Sequence, residues 1–127
     1  MKVLATVMLL GAFLFQSPCA TVTLALGSAT VSQGGTQTIQ STVTNCGTKK
    51  IRLGVTVTVT DAVGHISLIR NTIQQYNPSE VVVFNDIYAV PSDSPLGNNR
   101  VMTLVFDNSQ GGSTEIARAE QTFDVVP

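Results

Sequence analysis

The sequence predicts an all-β fold in which two antiparallel sheets, about seven strands in total, pack face to face. Three observations carry that expectation. Apolar and polar residues alternate with a period of two through most of residues 21–127, and no helical period is sustained over three turns. Clusters of Gly, Pro, Asn, Asp and Ser interrupt the alternation at intervals of roughly 8 to 12 residues, the spacing of short strands in a sandwich. Val, Ile and Thr are abundant while only 12% of residues are charged, which suits a pleated, half-buried surface.

The first strand is expected from Thr21 to Leu26, continuing toward Val31 and ending at Ser32-Gln33-Gly34-Gly35, where glycine supplies the positive φ of a tight reversal. The second runs from Thr36 to Asn45, with Ile39, Ser41 and Val43 on one face and Thr38, Gln40, Thr42 and Thr44 on the other. Asn45-Cys46-Gly47-Thr48 turns the chain into Ile51–Thr60, whose Ile51, Leu53, Val55, Val57 and Val59 alternate with Arg52, Gly54, Thr56, Thr58 and Thr60. Asp61-Ala62-Val63-Gly64 closes a hairpin into His65–Ile73, with Ile66 and Leu68 packing inward and Arg70 pointing out.

After Asn77-Pro78-Ser79, the run Val81-Val82-Val83-Phe84 is apolar on both faces and continues to Ile87-Tyr88. Such a strand is either covered on both sides or forms a dimerising edge. Pro91 and Pro95 keep residues 90–97 out of any central strand. Asn99–Phe106, a turn over residues 107–112 and a last strand from Glu115 to Val126 complete an immunoglobulin-like β-sandwich. The Thr56, Thr58, Thr60 row and the Thr42, Thr44 row fall on strands of opposite sheets, so they form no continuous plane.

Several stretches resemble a known family. They are Val31-Ser32-Gln33-Gly34-Gly35 leading into Thr36-Gln37-Thr38-Ile39, the corner Val43-Thr44-Asn45-Cys46-Gly47-Thr48, Pro95-Leu96-Gly97 before the penultimate strand, and Thr122-Phe123-Asp124-Val125. Together they resemble the fibronectin-type-III-like sandwiches typified by CARDB (cell-adhesion-related) modules. The resemblance spans nearly all of residues 21–127. It rests on turns and core positions, so it implies a fold and a scaffolding or adhesive role, and no chemistry.

Lys2, the apolar run Val3–Phe15 and the exit Gln16-Ser17-Pro18-Cys19-Ala20 have the pattern of a secretory signal peptide over residues 1–20. The run is too short to span a membrane, and no later apolar segment of about 20 residues follows. The expected product is a secreted single domain, residues 21–127, with no membrane span. Its six basic residues against eight acids give a formal charge of −2, which argues against nucleic acid as a partner.

The two cysteines follow from the leader. A hairpin turning near Gln33 brings Cys19 opposite Cys46, and an exported pair in that position forms a disulfide. A cut after Ser17 keeps both. A cut after Ala20, the one expected for a leader over residues 1–20, removes Cys19 and leaves Cys46 odd, either in a Cys46-linked dimer or as a buried free cysteine.

Catalytic and cofactor chemistry is poorly supplied. His65 is the single histidine, no Gly-Xaa-Ser-Xaa-Gly is present, and one His with two Cys cannot fill a zinc site. Asp93, Asp107, Glu115 and Asn108 are the oxygen donors available for calcium, a weak match because Asp and Asn also suit turns. No cofactor is expected. There is no Trp, so Tyr76 and Tyr88 are the tyrosines available to meet a ligand, and Lys49, Lys50 and Arg52 form the one basic cluster, suited to an acidic glycan or lipid headgroup or to a solvated loop.

The expectation is a secreted, non-enzymatic module that binds a protein partner or itself, with Tyr76, Val81, Val83, Tyr88, Lys49, Lys50 and Arg52 as interaction candidates. One alternative, a glycan- or ligand-binding module, requires an aromatic-lined cleft at Tyr76 or Tyr88. The other, a small secreted enzyme, requires His65 to converge with acids.

Overall fold

The computed structural model describes residues 18–109 and 111–127. Most of the expected leader, residues 1–17, lies outside the described residues. Eight strands form: β1 (Ala20–Leu26), β2 (Thr30–Ser32), β3 (Thr36–Asn45), β4 (Ile51–Thr60), β5 (Ile66–Tyr76), β6 (Val81–Ala89), β7 (Gly97–Asp107) and β8 (Thr114–Val126). They make two sheets, β1-β3-β6 and β2-β8-β7-β4-β5. The expected sandwich is present. All pairings are antiparallel except β2 with β8, which is parallel.

That exception corrects the single first strand expected from the sequence. The chain leaves the small sheet at Gly27-Ser28 and crosses to the large one. At Gly27 a Cβ would collide with the Thr38 hydroxyl, so glycine allows the close approach without displacing that side chain. Gln37, fully buried, takes over where the backbone ladder stops. Its Nε2 donates to the Ser28 carbonyl at 2.6 Å and its Oε1 accepts from the Ser28 N–H at 3.0 Å. The carboxamide thus satisfies the two backbone groups that the strand switch would leave bare.

The core lies between the sheets. Val55, Val57 and Val59 of β4, Val101 and Val105 of β7, and Phe123 and Val125 of β8 face Ile39 and Val43 of β3 and Phe84 and Tyr88 of β6. It divides into two apolar clusters. Ser41 and Thr103, both fully buried, join their hydroxyls across the sheets at 2.8 Å, so each satisfies the other in a dry interior.

β1 and β3 hold the register expected from the sequence, Ala20 opposite Asn45 through to Leu26 opposite Ile39. It continues one step further: the Cys46 N–H donates to the Cys19 carbonyl at 3.0 Å, and a disulfide joins the two residues with their Cα atoms 5.0 Å apart. The folded unit therefore starts before Thr21, because Ala20 opens β1 and Cys19 ties it down. There is no free cysteine among the described residues. A Cys46-linked dimer is corrected accordingly: Cys46 is spent within the chain.

Arg70 is a second correction. The β4–β5 register shifts between Val57, which faces Arg70, and Thr58, which faces Leu68. One extra residue, Ile69, sits in this bulge and reverses the alternation. Arg70 consequently points into the sandwich and Leu68 out of it.

Candidate functional site

A strand sandwich interacts through its loops, its sheet faces or its edges. The long edges here belong to β6 and β5, with β1 and the three-residue β2 at the other side. β5 is bulged at Ile69, which twists an edge away from further pairing. β6 pairs with β3 without a register shift over its whole length, Val81 opposite Thr44 through to Ala89 opposite Thr36.

The direction of the backbone groups on β6 follows from its two ends. The Asn45 N–H donates to the Glu80 carbonyl at 3.0 Å, and the Val90 N–H donates to the Gly35 carbonyl at 2.9 Å. Hydrogen-bonded and non-bonded pairs alternate in an antiparallel ladder. Residues 82, 84, 86 and 88 therefore bond to β3, and Val81, Val83, Asn85, Ile87 and Ala89 turn their N–H and C=O groups to the open edge. The same five side chains form the outer face. Val81 is 54% exposed, Val83 48% and Ile87 68%. The expected contact residues Val81 and Val83 are thus on an edge, and Ile87, not singled out in the sequence, belongs with them.

The inner residues of β6 close the sandwich against β5. Arg70 donates from Nε to both Asp86 oxygens at 3.1 and 3.0 Å, and from Nη2 to Oδ1 at 2.9 Å. Its guanidinium lies 4.6 Å from the centroid of the Phe84 ring. This bond to Asp86 holds Arg70 above its ordinary pKa. Two inward charges on neighbouring edges of opposite sheets close the gap without extending either sheet.

The tyrosines do not form a site. Tyr76 is the last residue of β5 and fully buried, and Tyr88 is buried on β6. Both follow the strand alternation inward, so neither presents a ring to a ligand. The Tyr76 hydroxyl is buried without a partner. Burial pushes this phenol up to about 12, with Glu80 adding to the rise and Arg70 opposing it.

Lys49 and Lys50, exposed in the loop after Cys46, line a cleft of about 340 Å³ with Pro18, Cys19, Asp107 and Ser109. Arg52, also exposed, sits beyond them on the outer side of β4, opposite Gln75. The buried Asn45 organises the loop: its Nδ2 donates to the carbonyls of Lys49, Tyr76 and Asn77, and its Oδ1 accepts from the Gly47 N–H.

The candidate calcium donors are dispersed. Asp93 precedes β7 and Asp107 ends it, an 11-residue strand away, while Glu115 is taken by Arg118 at 2.6 and 2.7 Å. Asp107 accepts from the N–H and hydroxyl of Ser109. Among the described residues no cluster of three His, Cys, Asp or Glu could hold a metal ion. His65 stands exposed at the β4–β5 turn, and Asp61 Oδ1 accepts from the backbone N–H groups of Val63 and His65.

Among the described residues β6 thus offers an edge with no register shift and no strand partner on its outer side. A CARDB domain from Pyrococcus furiosus, described in complex with di-metal ions, superposes with a TM-score of 0.67 over 87% of this chain and 90% of that one, at 19% identity. The chain has the immunoglobulin-like fold of a CARDB domain. The expected fold-level resemblance is shown. An alkylpurine DNA glycosylase from Pseudomonas fluorescens matches with a TM-score of 0.68, 12% identity and 94% of this chain, but over 33% of its own length. A β-glucosidase from Erythrobacter marinus matches with a TM-score of 0.66 and 13% identity over 86% of this chain and 16% of its own. In both enzymes the matching region is a minor part of the chain. No protein-family model matches the sequence, and no curated protein does.

Proposed function

We propose that this chain is an exported, non-enzymatic interaction module that works by strand addition at the open edge of β6. One observation carries the proposal: Val81, Val83, Asn85, Ile87 and Ala89 offer unpaired backbone groups and outward side chains from the same positions. Main-chain pairing supplies affinity in this mode, and alternate side chains supply specificity. Export is supported by the apolar run after Lys2 and by the Cys19–Cys46 disulfide, which suits an oxidising compartment. In this reading the leader is cut before Cys19, a choice supported by the disulfide, since a later cut would remove a bonded residue. A non-enzymatic role is supported by the exposed position of His65 at the β4–β5 turn, where the Asp61 carboxylate is engaged by the backbone N–H groups of Val63 and His65.

The test is affinity capture from the extracellular fraction of the source with the oxidised chain and with a Val83→Pro variant. Proline at 83 removes a donor that faces solvent and leaves the β3 ladder intact. Proteins retained by the parent and lost with the variant are expected. Equal capture by both would refute the edge as the contact.

A further inference from the structure

We infer that the partner strand at β6 is β6 of a second copy, paired antiparallel about a two-fold axis through Asn85. The inference rests on the edge reading above and names its occupant. The outward residues of β6 read Val81, Val83, Asn85, Ile87, Ala89, which is apolar-apolar-Asn-apolar-apolar in either direction. An axis at Asn85 sets Val83 of one copy opposite Ile87 of the other, Val81 opposite Ala89, and Asn85 opposite itself. The whole strand overlaps, and all five positions are ones whose N–H and C=O face the edge. Each such pair exchanges two bonds, so no backbone group of the edge is left over.

Charge favours the same arrangement. None of the outward residues on β1, β3 or β6 is ionisable, so joining the two small sheets brings no like charges together. On the inner side, Asp86 of one copy falls opposite Phe84 of the other, the ring that carries Arg70. A second carboxylate is thereby added beside a guanidinium. A single strand pair is a smaller contact than the roughly 1,200 to 2,000 Å² of a standard specific interface, so the association is a concentration-dependent equilibrium.

Sedimentation equilibrium of the oxidised chain from about 1 µM to about 1 mM is expected to show the mass double, at concentrations typical of so small an interface. Val83→Lys should weaken the dimer at least about tenfold. Adding Ile87→Glu in the same chain should restore it, with a salt dependence the parent lacks, because Lys at 83 then meets Glu at 87 of the other copy. Val83→Lys with Ile87→Lys should remain monomeric. All four chains must show the parent's circular dichroism, which these exposed positions permit. A parent that stays monomeric at about 1 mM, or a Lys/Glu chain no better than the Lys/Lys chain, overturns self-pairing. If capture of another protein is still lost with Val83→Pro, the edge reading survives that result; if not, both fall.

Discussion

Removing the Cys19–Cys46 bond is the perturbation whose size follows most directly from the fold. The bond closes a segment with a sequence separation of 27 and fixes the first residues of β1 against the end of β3. The chain-entropy relation for that separation gives about 12 cal/mol/K, or about 3.5 kcal/mol at 25 °C. In a domain of this size that corresponds to a fall in Tm of about 14 °C. The comparison is urea unfolding of the oxidised chain against Cys19→Ser/Cys46→Ser, with a chain trimmed to start at Thr21 as the third sample. The trimmed chain loses the bond and also Ala20, whose partner in the register is Asn45, so it should be at least as unstable as the double variant. Intact mass of the exported protein gives the companion result: a chain that retains Cys19 and is two hydrogens lighter than its reduced form. A mature protein starting at Thr21, as stable as the longer oxidised chain, would refute both the docking role of the disulfide and the placement of the cut.

Three further outcomes are expected. Thr103→Val or Ser41→Ala alone leaves a buried hydroxyl unpaired and should cost about 1–3 kcal/mol, whereas the double variant should lie near the parent; additive losses in the cycle would show that the 2.8 Å bond contributes nothing. Tyr76 has a folded pKa of about 12 against about 10 when unfolded. The unfolded chain loses its proton first, so stability is unaffected well below pH 10 and falls by roughly 2–3 kcal/mol as pH rises through 12; Tyr76→Phe should remove that fall in a series of urea midpoints. Asp86→Asn should cost about 1.5–3 kcal/mol by stripping the charged partner from Arg70, while Asp86→Asn with Arg70→Met should recover most of the loss in the same assay.

The alternation of Ile51–Thr60, the turn at Asn77-Pro78-Ser79 and the register that sets Cys19 opposite Cys46 were legible because each depends on local pattern and a period of two. Arg70 was not. One inserted residue in β5 reverses every side chain on one side of it, and a bulge has no sequence signature when the inserted residue is an isoleucine that follows a leucine. The strand switch at Gly27-Ser28 was hidden for a related reason: it depends on Gln37, nine residues away, replacing a backbone partner with a carboxamide. Tyr76 looked like a loop residue because Gln74-Gln75-Tyr76-Asn77 is polar around it. Its burial comes from lying at an inward position of a strand that runs three residues beyond its expected end.

The edge of β6 was half legible, and the missing half is a parity. Val81-Val82-Val83-Phe84 shows that both faces are apolar, which is equally true of a strand buried on both sides. Along any strand, side-chain direction and backbone bonding direction both alternate with period two, so the residues that bond to the neighbour all share one face. Which face they share is fixed by β3, not by β6. Here the bonds to β3 come from the inward residues 82, 84, 86 and 88, and everything offered to a partner comes from 81, 83, 85, 87 and 89. Fold and recognition are therefore written on alternate residues of one strand. Substitution at Phe84 or Tyr88 should lower stability, while substitution at Val83 or Ile87 should leave the unfolding free energy from urea titration within about 0.5 kcal/mol and act on association alone. A loss of stability at Val83 equal to that at Phe84 would mean that the outward face is covered within the monomer, and that the strand is not the open edge its register describes.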